Sequence, residues 1–183
     1  NMKKRILSVL IAVTMLICML PTAVFAAGTH TNHCVCGEQE SVHSNCKDIE
    51  WTAWNGTDAI PYDSNKTAYV YLSDDIELTA TLTVAYGKTL YLCLNGNTLS
   101  PASGFTGGAI KVNSGATFVL TDCGGGGAIS GFTSPTGGGG VRNNGTFTMY
   151  GGAISNNRTT GSGEDGDGGG VYNKGTVTMY GGT

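Results

Sequence analysis

Six residues with soft or titratable donors crowd one short stretch: His30-Thr-Asn-His33-Cys34-Val-Cys36, then His43-Ser-Asn-Cys46. Thiolate and imidazole are the donors that tetrahedral zinc takes. Cys34, Cys36, His43 and Cys46 make a Cys3His set, with His30 or His33 as substitutes. The Cys-X-Cys spacing is tighter than the usual two to four intervening residues of zinc sites. An oxidising compartment would instead convert such thiols to a disulfide. Zinc and a disulfide therefore both stand open for this segment. So short a stretch buries no core of its own, and one staple or the other is expected to order it. Beyond it, Glu50-Trp51-Thr-Ala-Trp54 offers two indoles, read here as an apolar cap on whatever domain follows.

The chain before the cluster has the form of a secretory signal. Lys3, Lys4 and Arg5 precede an apolar run from Ile6 to Leu20, Pro21 interrupts it, and Val24-Phe25-Ala26 suits cleavage after Ala26. The 15-residue run is shorter than the ~20 residues a spanning helix needs. Residues 1–26 are thus expected to direct export, and no stable membrane span is expected in the mature chain. Five cysteines would remain: Cys34, Cys36, Cys46, Cys93 and Cys123. With ten basic and 13 acidic residues overall, loss of three basic ones leaves 7 − 13 = −6. A chain of that charge has no basic field to draw nucleic acid.

After residue 66 the composition changes. Of 30 glycines in the 183 residues, 25 follow residue 100. Glycine at that density disfavours helices. The run Gly140-Val-Arg-Asn143-Asn-Gly145-Thr-Phe-Thr-Met-Tyr-Gly-Gly152 returns, 30 residues on, as Gly170-Val-Tyr-Asn173-Lys-Gly175-Thr-Val-Thr-Met-Tyr-Gly-Gly182. Asn113-Ser-Gly115 fits the same frame one unit earlier, and Tyr86-Gly87-Lys-Thr-Leu-Tyr-Leu opens a more diverged copy. Gly-Gly-Ala-Ile recurs at 107–110, 126–129 and 151–154.

Alternating, β-branched segments within a unit predict about three short strands, at 110–112, 117–121 and 128–130 in one copy. Three strands in about 30 residues are too few for a propeller blade. They fit a parallel β-helix, in which each unit is one coil and equivalent strands stack. Val141 should then lie over Val171, Phe147 over Val177 and Met149 over Met179. Asn113, Asn143 and Asn173 should share one turn position, and Gly115, Gly145 and Gly175 one corner. Stacked asparagines would bond along the axis, tolerate a left-handed turn, or do both.

The stretches GKTLYLCLNGNTLS (87–100), NSGATFVLTD (113–122) and GTFTMYGGAISNN (145–157) resemble right-handed parallel β-helix repeats, the pectate-lyase-like fold, of bacterial surface proteins. The Cys- and Trp-bearing stretch before them is similar to leaders of exported proteins from anaerobic Gram-positive bacteria. The resemblance implies an all-β, adhesin-like surface protein. The expected organisation is a signal peptide at 1–26, a Cys/His/Trp-rich leader at 27–66 and a right-handed β-helix with coils of about 30 residues at 67–183. The last coil breaks off inside a repeat, so an amino-terminal portion of a longer chain is expected.

Two function classes follow. One is a secreted or cell-surface, non-enzymatic stalk or adhesin-like scaffold, with a host or cell-wall glycan or protein as partner. The other is a polysaccharide lyase or glycoside hydrolase, which the same fold carries. An enzyme needs paired acids near a basic residue. Asp122, Lys111 and Arg142 are the residues that could meet on one face, and nothing in their spacing singles them out. No catalytic residue is assigned, and zinc in the leader is the one cofactor considered.

Overall fold

The computed structural model describes residues 33–35, 49–162 and 167–183. All regular structure among them is β: sixteen short strands, each pairing in parallel. The expected signal peptide lies outside the described residues. No helix among the described residues is long and apolar enough to cross a membrane.

The strands wind through three sheets in a fixed cycle. Sheet A runs β1 (Thr52–Trp54), β2 (Thr67–Leu72), β5 (Thr89–Cys93), β8 (Thr117–Thr121), β12 (Thr146–Met149) and β16 (Thr176–Met179). Sheet B stacks β3 (Ile76–Leu78), β6 (Thr98–Pro101), β9 (Ala128–Ser130) and β13 (Ala153–Ser155). Sheet C stacks β4 (Leu82–Val84), β7 (Ile110–Val112), β11 (Val141–Asn143) and β15 (Val171–Asn173). A two-stranded ribbon, β10 (Thr133–Ser134) with β14 (Arg158–Thr159), sits between B and C in the later coils. The chain is a parallel β-solenoid.

Alternation along each strand decides what enters the core. In β2 the burial pattern puts Ala68, Val70 and Leu72 inward and Thr67, Tyr69 and Tyr71 outward. Successive coils extend these columns: Ala68, Leu90, Phe118, Phe147, Val177 and, beside it, Val70, Leu92, Leu120, Met149, Met179. Phe118 and Phe147 stack at 5.4 Å. Val141 lies over Val171 as expected, and the Phe147–Val177 and Met149–Met179 pairs also form. Trp54 of β1 lies over Leu72 and joins the core, 4% exposed, with its indole N–H donating to Asp58 O at 2.9 Å. Sheet A therefore begins at Thr52, ahead of the expected boundary at residue 67.

Coil length is not constant. Along sheet A the register steps are 89 − 67 = 22, 117 − 89 = 28, 146 − 117 = 29 and 176 − 146 = 30 residues. Growth concentrates in the B-to-C connection, which holds residues 79–81, then 102–109, 131–140 and 156–170. The sheets cannot lengthen without losing register, so the connections absorb the added residues. The Gly-Gly-Ala-Ile recurrence also divides: Ile110 belongs to sheet C, whereas Ile129 and Ile154 pair in sheet B. A four-residue match marks a turn entering a strand, not a particular face.

Candidate metal centre

Outward residues of sheet A build a site at the amino-terminal end. Tyr71 and Cys93 are register partners, as are Cys93 and Thr121. Past β5 the chain reverses through Leu94-Asn95-Gly96-Asn97, closed by Asn97 N–H donating to Leu94 O at 2.9 Å. Asn95 and Gly96 both take positive φ, 53° and 80°, a type I′ geometry that suits Asn-Gly. The next coil is fastened to this turn. Asp122 accepts from Gly96 N–H at 2.7 Å and from Gly127 N–H at 2.8 Å. Gly124 presses against the Asn95–Gly96 backbone, where a Cβ would meet Asn95 C at 2.5 Å. These contacts hold Cys123 beside Cys93, with Sγ–Sγ 3.0 Å.

The third donor arrives from the leader. His33 Nδ1 lies 2.9 Å from Cys123 Sγ. Its ring stacks on Tyr71 at 4.2 Å and meets Trp51 edge-on at 5.4 Å. Trp51 in turn meets Tyr69, which stacks on Tyr91. His33 is 0% exposed, Cys93 is 0% exposed and Cys123 is half-buried. Ligand atoms of His33, Cys93 and Cys123 all lie within 4.8 Å of one another. His33 Nε2 is buried with no hydrogen-bond partner. The Cys93 thiol is drawn down to about 4, chiefly because the Cys123 S–H donates to it, with His33 also helping against burial. Cys123 is pushed up, because its proton is committed to Cys93 and burial disfavours its thiolate. Two chemistries suit this arrangement: ligation of a soft metal, or oxidation of Cys93 and Cys123 to a disulfide.

The leader set expected from sequence is only partly in view. Cys34 is buried, and Cys36, His43 and Cys46 lie outside the described residues. Cys93 and Cys123 stand far from that leader set in the sequence, yet His33 of the leader meets them. Register alone does not reveal the pair, since Cys93 faces Thr121 across a 28-residue step and Cys123 reaches it from two residues past β8.

The asparagine and glycine ladders form over part of the stack. Asn143 pairs with Asn173, and its Nδ2 donates to Asn173 Oδ1 at 2.7 Å. Opposite Asn143 in the preceding coil stands Val112, so Asn113 lies one residue beyond that column. Gly145 and Gly175 stack directly: a Cβ on Gly175 would collide with Gly145 O. Gly115 pairs instead with the earlier Gly87, whose N–H donates to Gly115 O at 3.0 Å. The one-residue offset arises because the turn before β8 is longer than the turn before β12.

Of the three residues weighed for acid–base work, Lys111 and Arg142 are register neighbours on sheet C. Asp122 lies elsewhere and spends both oxygens on backbone N–H groups. Arg142 lies over the Tyr172 ring at 4.8 Å. Beside it, Thr81, Lys111, Ser134, Thr136 and Gly137 border a cavity of about 280 Å³.

Comparison with protein-family models, with curated proteins and with solved structures finds no match for this chain.

Proposed function

We propose that this chain is an exported, non-enzymatic β-helical scaffold that presents its B-to-C edge to a glycan or protein partner. One observation carries the reading: the B-to-C connection lengthens from residues 79–81 to residues 156–170 along the stack while the three sheets keep their registers. Such a device adds lateral surface without disturbing the core. The cavity beside Lys111 and Arg142 lies on this edge, and the Arg142–Tyr172 pair offers a flat cationic–aromatic surface of the kind that packs on sugar rings or acidic groups.

The test is retention of the full chain on purified bacterial cell wall and on host matrix protein. Substituting Lys111 and Arg142 together by Ala is expected to cut retention several-fold while the far-ultraviolet spectrum stays unchanged. Sustained release of reducing or unsaturated sugar ends from uronic-acid polymers would overturn the reading and install the lyase or hydrolase in its place.

A further inference from the structure

We propose that His33, Cys93 and Cys123 form a Cys2His zinc site that fastens the leader to the outer face of sheet A. The argument starts from the histidine. A wholly buried imidazole is costly unless its nitrogens find partners, yet His33 has Nδ1 aimed at sulfur and Nε2 without a hydrogen-bond partner. A disulfide between Cys93 and Cys123 uses no histidine and would leave this ring with no polar role. A metal uses it. Tyr71 and Trp51 flank the ring, Nδ1 meets Cys123 Sγ, and Cys93 Sγ from the adjacent coil lies within 4.8 Å.

The dimensions fit. Zinc–sulfur bonds of about 2.3 Å in a tetrahedron place two sulfurs roughly 3.8 Å apart. The Cys93–Cys123 separation of 3.0 Å reaches that by an opening of under about 1 Å. Cys123 is half-buried, so the fourth position faces outward, where water or Asn95 Oδ1, 3.8 Å from Cys123 Sγ, completes the shell. Binding would release the thiol protons to solvent, and no oxidant or reductant is required. The ligands differ from the leader's Cys3His set in joining two parts of the chain, so the site is a clasp and independent of any role of the B-to-C edge.

The full chain, reduced and stripped by chelator, is titrated with Co²⁺ and then with Zn²⁺. One equivalent of Co²⁺ should bring a thiolate-to-metal charge-transfer band, displaced by Zn²⁺. Cys93→Ser and Cys123→Ser should each remove about half of that band and weaken Zn²⁺ by more than the roughly ten- to hundred-fold typical of losing an outer-shell partner. His33→Gln should leave the thiolate band but change the visible bands as nitrogen is lost. Zn²⁺ should also protect the leader from limited proteolysis, and this protection should vanish in Cys123→Ser, where the half-buried position keeps the fold intact. Metal uptake untouched by both serine variants would overturn the proposal. So would a Cys93–Cys123 disulfide recovered by mass spectrometry from metal-free, folded, exported protein.

Discussion

The passage from sheet C to sheet A is built in two ways within one solenoid. In the early coils, four residues separate the strands: 85–88 before β5 and 113–116 before β8. Each is a β-turn closed by its last N–H, Lys88 to Ala85 O at 3.1 Å and Ala116 to Asn113 O at 3.0 Å. Gly87 and Gly115 occupy the third position with φ of 71° and 69°, as a type II turn requires. The inward column leading into these turns is apolar, Val84 then Val112. In the late coils only residues 144–145 and 174–175 intervene, and the same column continues as Asn143 and Asn173. Asn143 is 0% exposed, accepts from Gly145 N–H at 3.1 Å, and donates to Asn173 Oδ1 and to Thr176 O at 2.9 Å. The shortened turn no longer closes on itself through backbone alone, so a side chain closes it. An inward-facing position changes from hydrophobic filler to a backbone cap when two residues leave the corner.

Breaking what both halves share should cost most. Phe118→Ala empties a column between Leu90 and Phe147 and is expected to destabilise by about 3–5 kcal/mol, measured by urea unfolding. Asn143→Val extends the early apolar column but strands Gly145 N–H and Thr176 O, a loss of about 2–3 kcal/mol. Hydrogen exchange should accelerate across residues 141–179 and leave residues 68–93 slow. Adding Asn173→Val should cost a smaller further amount, because Gly175 N–H then loses Asn173 Oδ1, its acceptor at 3.0 Å, at an exposed corner. Equal exchange in both halves would dissolve the contrast. Gly145→Ala would drive a Cβ into Ala116 O and Asn113 O, both backbone, for about 1–3 kcal/mol. Gly115→Ala should cost about 1–2 kcal/mol, from left-handed backbone alone. The nearest atoms to such a Cβ belong to the ring of Tyr86, 80% exposed and free to swing aside. If Gly115→Ala proves the worse of the two, the assignment of conformational and steric glycines is reversed.

What could be foreseen divides along the same line. The strands at 110–112, 117–121 and 128–130 emerge as expected, because alternation of β-branched and polar residues reports burial directly. The late registers were legible from an ungapped 30-residue match. Asn-X-Gly misled, since the motif serves a four-residue turn at 113–116 and an asparagine-capped one at 143–145. Periodicity records the residues and not which atoms close the turn. Gly145 and Gly175 do not take positive φ; they are glycine because the coils approach too closely for a Cβ. The Cys93–Cys123 pair is not legible as a repeat, because Cys93 is in register with Thr121 and Cys123 lies two residues further on, and the meeting with His33 depends on how the leader lies on sheet A.

The Asn143–Asn173 pair also bears on how the stack finds its order. Columns of valine, leucine and isoleucine are nearly interchangeable, so one rung of a solenoid could dock on a rung other than its neighbour at little cost. A rung carrying Asn143 is not interchangeable. Set against Val84 or Val112 on both sides, its amide would be buried without the carbonyl and carboxamide oxygens it now meets. A single polar position in an apolar seam is known to fix register in helical assemblies. Here it works as a checksum on threading: the stack closes without loss only when the two asparagine-bearing rungs are adjacent and in sequence order.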